Sequence, residues 1–245
     1  MKSYIGLRKL IESYVNNIFE YLFPEIFAND IRETINTESL IIDLKKILKF
    51  FEEDNGVVEN EAIKYINDIQ RIKDLIMLDV KAGYEGDPAA ASYDEVMLCY
   101  PAFIATSIYR FAHPLYAHGF RIVARMMTEY AHSKTGIDIH PGAKIGKSFF
   151  IDHGTGVVIG ETTVIGDNVK LYQNVTLGAK SFSKNDDGSL VKGIKRHPNI
   201  GNNVVIYAGA TILGGETKIG DNVVIPGNSW IVDSVSADKK IRNNS

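Results

Sequence analysis

Between residues 139 and 231 an aliphatic residue returns every sixth position: Ile145 and Ile151, then Ile159, Ile165, Leu171 and Leu177, then Ile200, Ile206 and Ile212, then Ile219, Ile225 and Ile231. Neither a helix nor a half-buried strand has that period, because their side chains repeat at about 3.6 and 2 residues. Several of these aliphatics precede a glycine, as in Ile145-Gly146, Ile159-Gly160, Ile165-Gly166, Leu177-Gly178, Ile200-Gly201 and Ile219-Gly220. Four positions on comes a second residue able to pack, among them Thr155, Thr163, Val169, Val175, Val204, Ala210, Val223 and Ser229. Hexapeptide units of this kind build a parallel β-helix, in which each unit is a short strand plus a turn and three units complete a triangular coil. An antiparallel sandwich with Gly-rich turns has no reason to hold one phase across a dozen units.

The phase breaks three times. Ile151 to Ile159 is a step of eight and Ile212 to Ile219 a step of seven, which suggests a bulge near Gly214-Gly215-Glu216. The span from Leu177 to Ile200 is too long for a turn and holds the polar run Lys180-Ser181-Phe182-Ser183-Lys184-Asn185-Asp186-Asp187-Gly188-Ser189. The reading is an extruded loop over 180–198, and long loops on rigid scaffolds often carry function.

Ahead of the repeat the composition differs. Five of the 21 glycines lie before Gly136 and the other 16 fall in the remaining 110 residues. Glycine weakens helices and punctuates turns, so the architecture changes near residue 136. Residues 40–51 place apolar side chains at three- and four-residue spacings between charges, and so do 7–23, 61–78 and 104–127. Breaks are expected at Pro24, Asn55-Gly56, 83–88 and Pro101. The expected class is α+β: an N-terminal α-helical domain over 1–135, then a left-handed parallel β-helix of hexapeptide repeats over 136–241.

With 27 Lys+Arg against 30 Asp+Glu the net charge is −3, so no basic excess exists to neutralise a nucleic-acid backbone. No apolar run approaches ~18 residues, which gives no membrane span. One cysteine, Cys99, excludes an intrachain disulfide and a thiolate-rich zinc site and fits a reducing compartment; a cytoplasmic protein is expected.

Of six histidines, His113, His118 and His132 lie in the helical part, where a structural role is the default. His140, His153 and His197 lie in the repeat, whose aliphatic interior has little room for an ionisable ring, so they should face outward. His153 and His197 stand at phase breaks, in Asp152-His153-Gly154-Thr155-Gly156 and Arg196-His197-Pro198. Asp138 precedes His153 by fifteen residues, close to one coil of about eighteen. That spacing suggests an acid–imidazole pair, the carboxylate fixing the tautomer of a general base; the alternative is a turn residue and a surface ring.

The stretches Asp138-Ile139-His140-Pro141-Gly142-Ala143-Lys144-Ile145-Gly146, Asp152-His153-Gly154-Thr155-Gly156-Val157-Val158-Ile159-Gly160-Glu161-Thr162, Asn174-Val175-Thr176-Leu177-Gly178 and Arg196-His197-Pro198 closely resemble the serine O-acetyltransferases. The resemblance reaches back to Asp87-Pro88-Ala89-Ala90 and covers about 70–235. It implies acetyl transfer from acetyl-CoA to the L-serine hydroxyl, giving O-acetylserine for cysteine biosynthesis, with no metal. His153 would be the base and Asp138 its orienting carboxylate. Asp87 and Asp152 would take the substrate ammonium and Arg196 its carboxylate, while His197 and Glu161 line the same pocket.

Backbone amides near Gly178-Ala179 would face the oxyanion, and coenzyme A would run between neighbouring prisms beside Gly178, Ala179, Ala208 and Gly227. The resemblance also implies a homotrimer, or a dimer of trimers joined by the helical half, with L-cysteine as a feedback inhibitor in the serine site. The family's C-terminal Pro-Ala-Arg-type segment and terminal isoleucine have no match in 241–245, which puts a complex with cysteine synthase, and contacts to the adenosine 3′-phosphate, in doubt. The 180–195 loop is longer than in the compact bacterial form. Rival readings keep the fold but change the acceptor to homoserine or a sugar, make His140, His153 and His197 zinc ligands, or leave a non-catalytic scaffold.

Overall fold

The computed structural model describes residues 3–28, 35–239 and 241; the sequence expectation resting on 242–245 lies outside them. Helices come first: α1 (Leu7–Leu22), α2 (Pro24–Phe27), α3 (Thr37–Leu48), α4 (Asn55–Asn67), α5 (Ile69–Gly86), α6 (Tyr93–Cys99), α7 (Pro101–Ala117) and α8 (Arg121–Thr135). Side-chain caps start three of them: Asn36 accepts from Ser39 N–H, Asp54 from Gly56 and Val57 N–H, and Ser92 from Glu95 N–H. Two sequence patterns prove to be helix pairs. The pattern over 61–78 divides between α4 and α5 at Asp68, and that over 104–127 divides between α7 and α8, where Gly119 adopts a φ of 95° closed to a helix. Gly136, at φ 70°, ends α8 where the composition changes.

Thirteen short strands follow among the described residues: β1 (Asp138–Ile139), β2 (Lys144–Ile145), β3 (Phe150–Ile151), β4 (Val158–Ile159), β5 (Val164–Ile165), β6 (Lys170–Leu171), β7 (Thr176–Gly178), β8 (Asn199–Ile200), β9 (Val205–Ile206), β10 (Thr211–Leu213), β11 (Lys218–Ile219), β12 (Val224–Ile225) and β13 (Trp230–Ile231). Every strand pairs in parallel with the third one on, giving a first sheet β1-β4-β7-β10-β13, a second β2-β5-β8-β11 and a third β3-β6-β9-β12. The chain is therefore a helical region followed by a three-sided parallel coil.

The six-residue pattern builds its interior. Ile139, Ile159, Leu177, Ile212 and Ile231 stand in register on the first sheet, Ile145, Ile165, Ile200 and Ile219 on the second, and Ile151, Leu171, Ile206 and Ile225 on the third. One expected interior residue is displaced. Thr155 is exposed and Val157 is buried in its place, because the break after Ile151 inserts two residues before the coil resumes.

The corners need left-handed backbone, and polar residues supply it. Asn168, Asn203, Asn222 and Asp238 have φ of 55–59° at the edge between second and third sheets, and their side chains form a ladder of bonds of 2.9–3.2 Å up the coil.

Ala102, Ala105 and Tyr109 of α7 join the coil's apolar interior and close its first turn. Beside them Arg110 and Asp79 form a buried bidentate ion pair at 3.0 and 3.1 Å. Arg110 also donates to Ile145 O and Gly146 O, while Asp79 accepts from Phe149 N–H at 2.8 Å. Burial raises the Asp79 carboxyl, and the Arg110 charge and bonds oppose that rise. Removing one partner strands the other charge. Arg110→Met is expected to lower unfolding free energy by about 3–5 kcal/mol in urea titration, and an unshifted midpoint would refute this role for the pair.

Candidate active site

At the edge between third and first sheets, the two-residue insertion carries Asp152 and His153. The His153 backbone is left-handed, φ 58°, and is followed by Gly154 at φ 91° and Gly156 at φ 77°. A histidine rarely adopts this conformation, and the strained turn throws the ring outward, 73% exposed. Its Nε2 lies 3.9 Å from Asp152 Oδ1. Asp152 is itself buried, and its Oδ2 is held by Lys170 Nζ at 3.0 Å.

The end of α5 arrives beside this edge. Gly83 and Gly86 pass the Phe150 ring so closely that an added Cβ would stand 3.0–3.1 Å from a neighbouring side chain. Asp87 follows, accepting from Tyr100 O–H at 2.5 Å and Ala89 N–H at 2.9 Å. The Tyr100 bond first, then that from Ala89, holds the Asp87 carboxyl below its usual range, and the charges of Lys170 and His153 act in the same direction.

A second group sits across the first sheet, at its edge with the second. Arg196 Nη2 donates to Glu161 Oε2 at 2.5 Å, and Tyr116 O–H to Glu161 Oε1 at 2.6 Å. Burial alone would raise the Glu161 carboxyl, but these bonds and the Arg196 charge outweigh it and lower the group. His197 is buried; its Nδ1 accepts from Thr162 N–H at 3.1 Å, which leaves Nε2 to carry the proton of the neutral ring. Gly160 lies under that ring, where any Cβ would collide with it. His140 Nδ1 accepts from Gly142 N–H at 3.0 Å. A cavity of about 620 Å³ opens here, lined by Tyr116, Arg121, Arg125, His140, Glu161 and residues of α1.

The arrangement changes how the sequence-derived residues group. Asp87, Asp152 and His153 share one edge; Glu161, Arg196 and His197 share the other. Asp138 stands on the first sheet, in register with Val158 twenty residues on, because the two inserted residues lengthen that coil. Within one chain it does not pair with His153 as the fifteen-residue spacing suggested: Arg125 Nη1 holds Asp138 Oδ1 at 3.2 Å and also pairs with Glu129.

Gly178 and Ala179 lie at the edge bearing Arg196, where the loop over 179–198 leaves the coil, and among the described residues no acceptor meets Ala179 N–H. Ala208 and Gly227 stack at the other edge, a Cβ on Gly227 meeting Ala208 O at 3.0 Å. The three histidines read alternatively as zinc ligands do not gather. The described residues that do are Glu129, His132 and Asp138, within 4.8 Å, and Arg125 already supplies positive charge to both carboxylates. Sequence reasoning missed Lys170, Tyr100, Tyr116 and Arg125, none of which lies in a motif.

The fold is a three-sided parallel coil with an exposed histidine at one left-handed corner and an Arg–His pair at another, and its relatives place that architecture in a family. No family model matches the chain. The serine acetyltransferase encoded on a plasmid of Synechococcus elongatus is 57% identical over 169 residues, 69% of this chain and 53% of that protein, so the match spans about half of this relative's length. The Staphylococcus epidermidis serine acetyltransferase is 48% identical over 167 residues, 68% of this chain and 72% of that protein. The crystal structure of Entamoeba histolytica serine acetyltransferase isoform 3 in complex with cysteine superposes with a TM-score of 0.84 at 39% identity, covering 95% of this chain and 81% of that one. The chain belongs to the serine acetyltransferase family.

The second edge carries a pH dependence. Burial first, then the Arg196 and Lys195 charges, pushes the His197 pKa down to about 4, below the ordinary value of 6.5. Between those values the unfolded chain binds the proton that the folded one refuses, so stability is lost as pH falls from about 6.5 toward 4. His197→Gln should remove about 1–3 kcal/mol of that dependence in denaturation measured at pH 7 and pH 4.5. Parallel stability curves for both proteins would contradict it.

Proposed function

We propose that the protein is a serine O-acetyltransferase, moving acetyl from acetyl-CoA to the L-serine hydroxyl to give O-acetyl-L-serine for cysteine biosynthesis. The observation that carries the reading is the division of the acid, base and guanidinium groups between two edges of one exposed face, each set incomplete in one chain. The coil is left-handed, and three prisms pack with these faces adjoining, so that His153 of one protomer meets Asp138 and Arg196 of its neighbour. Val158, Thr176, Thr211 and Trp230 stand in register on that face, with Val158 38% and Trp230 69% exposed, apolar surface that suits such a contact.

In this arrangement the substrate ammonium lies between Asp87 and Asp152 and its carboxylate on Arg196, which Glu161 holds from behind. His153 takes the hydroxyl proton as oxygen attacks the thioester carbonyl, and Asp138 stabilises the imidazolium, a contribution of roughly 10²–10⁴-fold. The free Ala179 N–H faces the developing oxyanion, and the imidazolium returns its proton to the departing thiolate. The small residues Gly178, Ala179, Ala208 and Gly227 line the groove between prisms and fit the close approach of a coenzyme A arm.

L-cysteine, seen bound to the Entamoeba relative, takes the serine site because it differs only in sulfur for oxygen. The protein divides at residues 135 and 136 into a helical unit, which contributes Asp87 and joins trimers, and a catalytic coil. The free Cys99 thiol fits the cytoplasm, and among the described residues no helix is long and apolar enough to cross a membrane.

Thiol release from acetyl-CoA tests the reading. Release is expected with L-serine, not with L-homoserine or a sugar acceptor, and should fall at least about 10³-fold in His153→Ala. Release without dependence on serine would refute the proposal. A second measurement addresses the shared site: His153→Ala and Arg196→Ala, each inactive alone, should recover activity when unfolded together and reassembled, because some interfaces then hold both native edges. No recovery on reassembly would assign the whole site to one chain.

A further inference from the structure

Lys170 belongs to no motif, yet it lies where the helical and coiled parts of the ammonium pocket meet. It projects from β6 with its side chain 17% exposed, and its Nζ bonds Asp152 Oδ2 at 3.0 Å and Gly86 O at 2.7 Å. Gly86 is the residue before Asp87, so one ammonium ties together the two segments that carry the pocket's carboxylates. Aromatic rings wall it on two sides: Phe150 at 5.1 Å and Tyr172 at 4.4 Å from Nζ to centroid. Phe150 stacks in turn on Tyr100, whose hydroxyl holds Asp87, and Tyr172 stacks on Tyr207.

We infer that Lys170 is a positioning residue for amino-acid binding, a built-in cation that fixes the distance between Asp87 and Asp152 and turns Asp152 Oδ1 toward the substrate. The inference rests on the functional reading above.

Three observations separate this role from that of a surface lysine. The Asp152 carboxylate is buried, and Lys170 places a positive charge 3.0 Å from its Oδ2. The cation engages Oδ2 only, leaving Oδ1 on the side of His153, where a second ammonium can be received. Burial would lower the Lys170 ammonium, yet its bonds to Tyr172 and Asp152 outweigh that and raise it, so the group stays charged throughout the working range. Lys170 also carries a cost, since its positive charge opposes an incoming ammonium. Geometry decides the net effect: the carboxylates face the substrate while the lysine stands behind them against Phe150.

Steady-state kinetics of Lys170→Met distinguish the two effects. The serine KM and the cysteine inhibition constant are expected to rise together by about tenfold, the scale of one lost charge-assisted hydrogen bond, while the acetyl-CoA KM and kcat change less than about twofold. A serine KM that falls or stays the same would overturn the inference, with the catalytic reading intact. A wild-type protein that releases no thiol with serine would overturn both. To separate charge from folding, Lys170→Cys is made in a Cys99→Ser background and alkylated with 2-bromoethylamine, which rebuilds an ammonium on a side chain of lysine's length. Alkylation should restore the serine KM; a KM as high after complete alkylation as before it would refute the role.

Discussion

A buried ion pair fixes how two of the helices sit on the coil. Asp79 and Arg110 lie on different helices, α5 and α7, and both reach the first coil: Arg110 at the carbonyls of Ile145 and Gly146, Asp79 at the amide of Phe149. An unpaired charge in that apolar seam would be costly, so the two helices and the coil share one satisfied geometry. The register of α5 then follows, and with it the position of Asp87 at its end. A helical residue reaches an edge of the coil through this chain of constraints, with no covalent link nearer than the chain between them.

The coil makes the complementary contribution. Its interior is filled by repeating aliphatics, so polar side chains stand on its outer face and at its corners, most prominently where the repeat is interrupted. The insertion at Asp152-His153 puts a ring outside at one corner, and the return of the long segment at Arg196-His197 puts a guanidinium and a second ring at another. These histidines differ in environment. His153 stands out on a strained turn, whereas His197 is buried against Gly160 with a fixed tautomer.

What the sequence makes legible is what is local or periodic. The Ile and Leu columns could be listed before any coordinates, because a six-residue period is written along the chain, and the change at Gly136 is visible in glycine usage alone. The grouping of the site residues was harder to read. Counting eighteen residues per coil brought Asp138 toward His153, but the insertion that makes His153 prominent lengthens that coil to twenty and leaves Asp138 opposite Val158 with Arg125. Lys170, Tyr100 and Tyr116 gain their roles only when helices pack on the coil; the bond from Lys170 to Gly86 spans 84 residues, a separation at which no spacing rule operates.

The segment over 179–198 leaves β7 and rejoins at β8, which is the next strand the coil would have used without it. Its two ends therefore meet at a single corner, pinned by Lys195 on the carbonyl of Thr162 and by the amides of Arg196 and His197 on the Thr162 hydroxyl. Closing a longer loop between fixed ends costs only slowly more, about 0.6 kcal/mol per doubling of length. The corner is thus a port at which natural or engineered insertions can be exchanged while the winding of the prism, and the placement of the two residues just inside the port, stay the same.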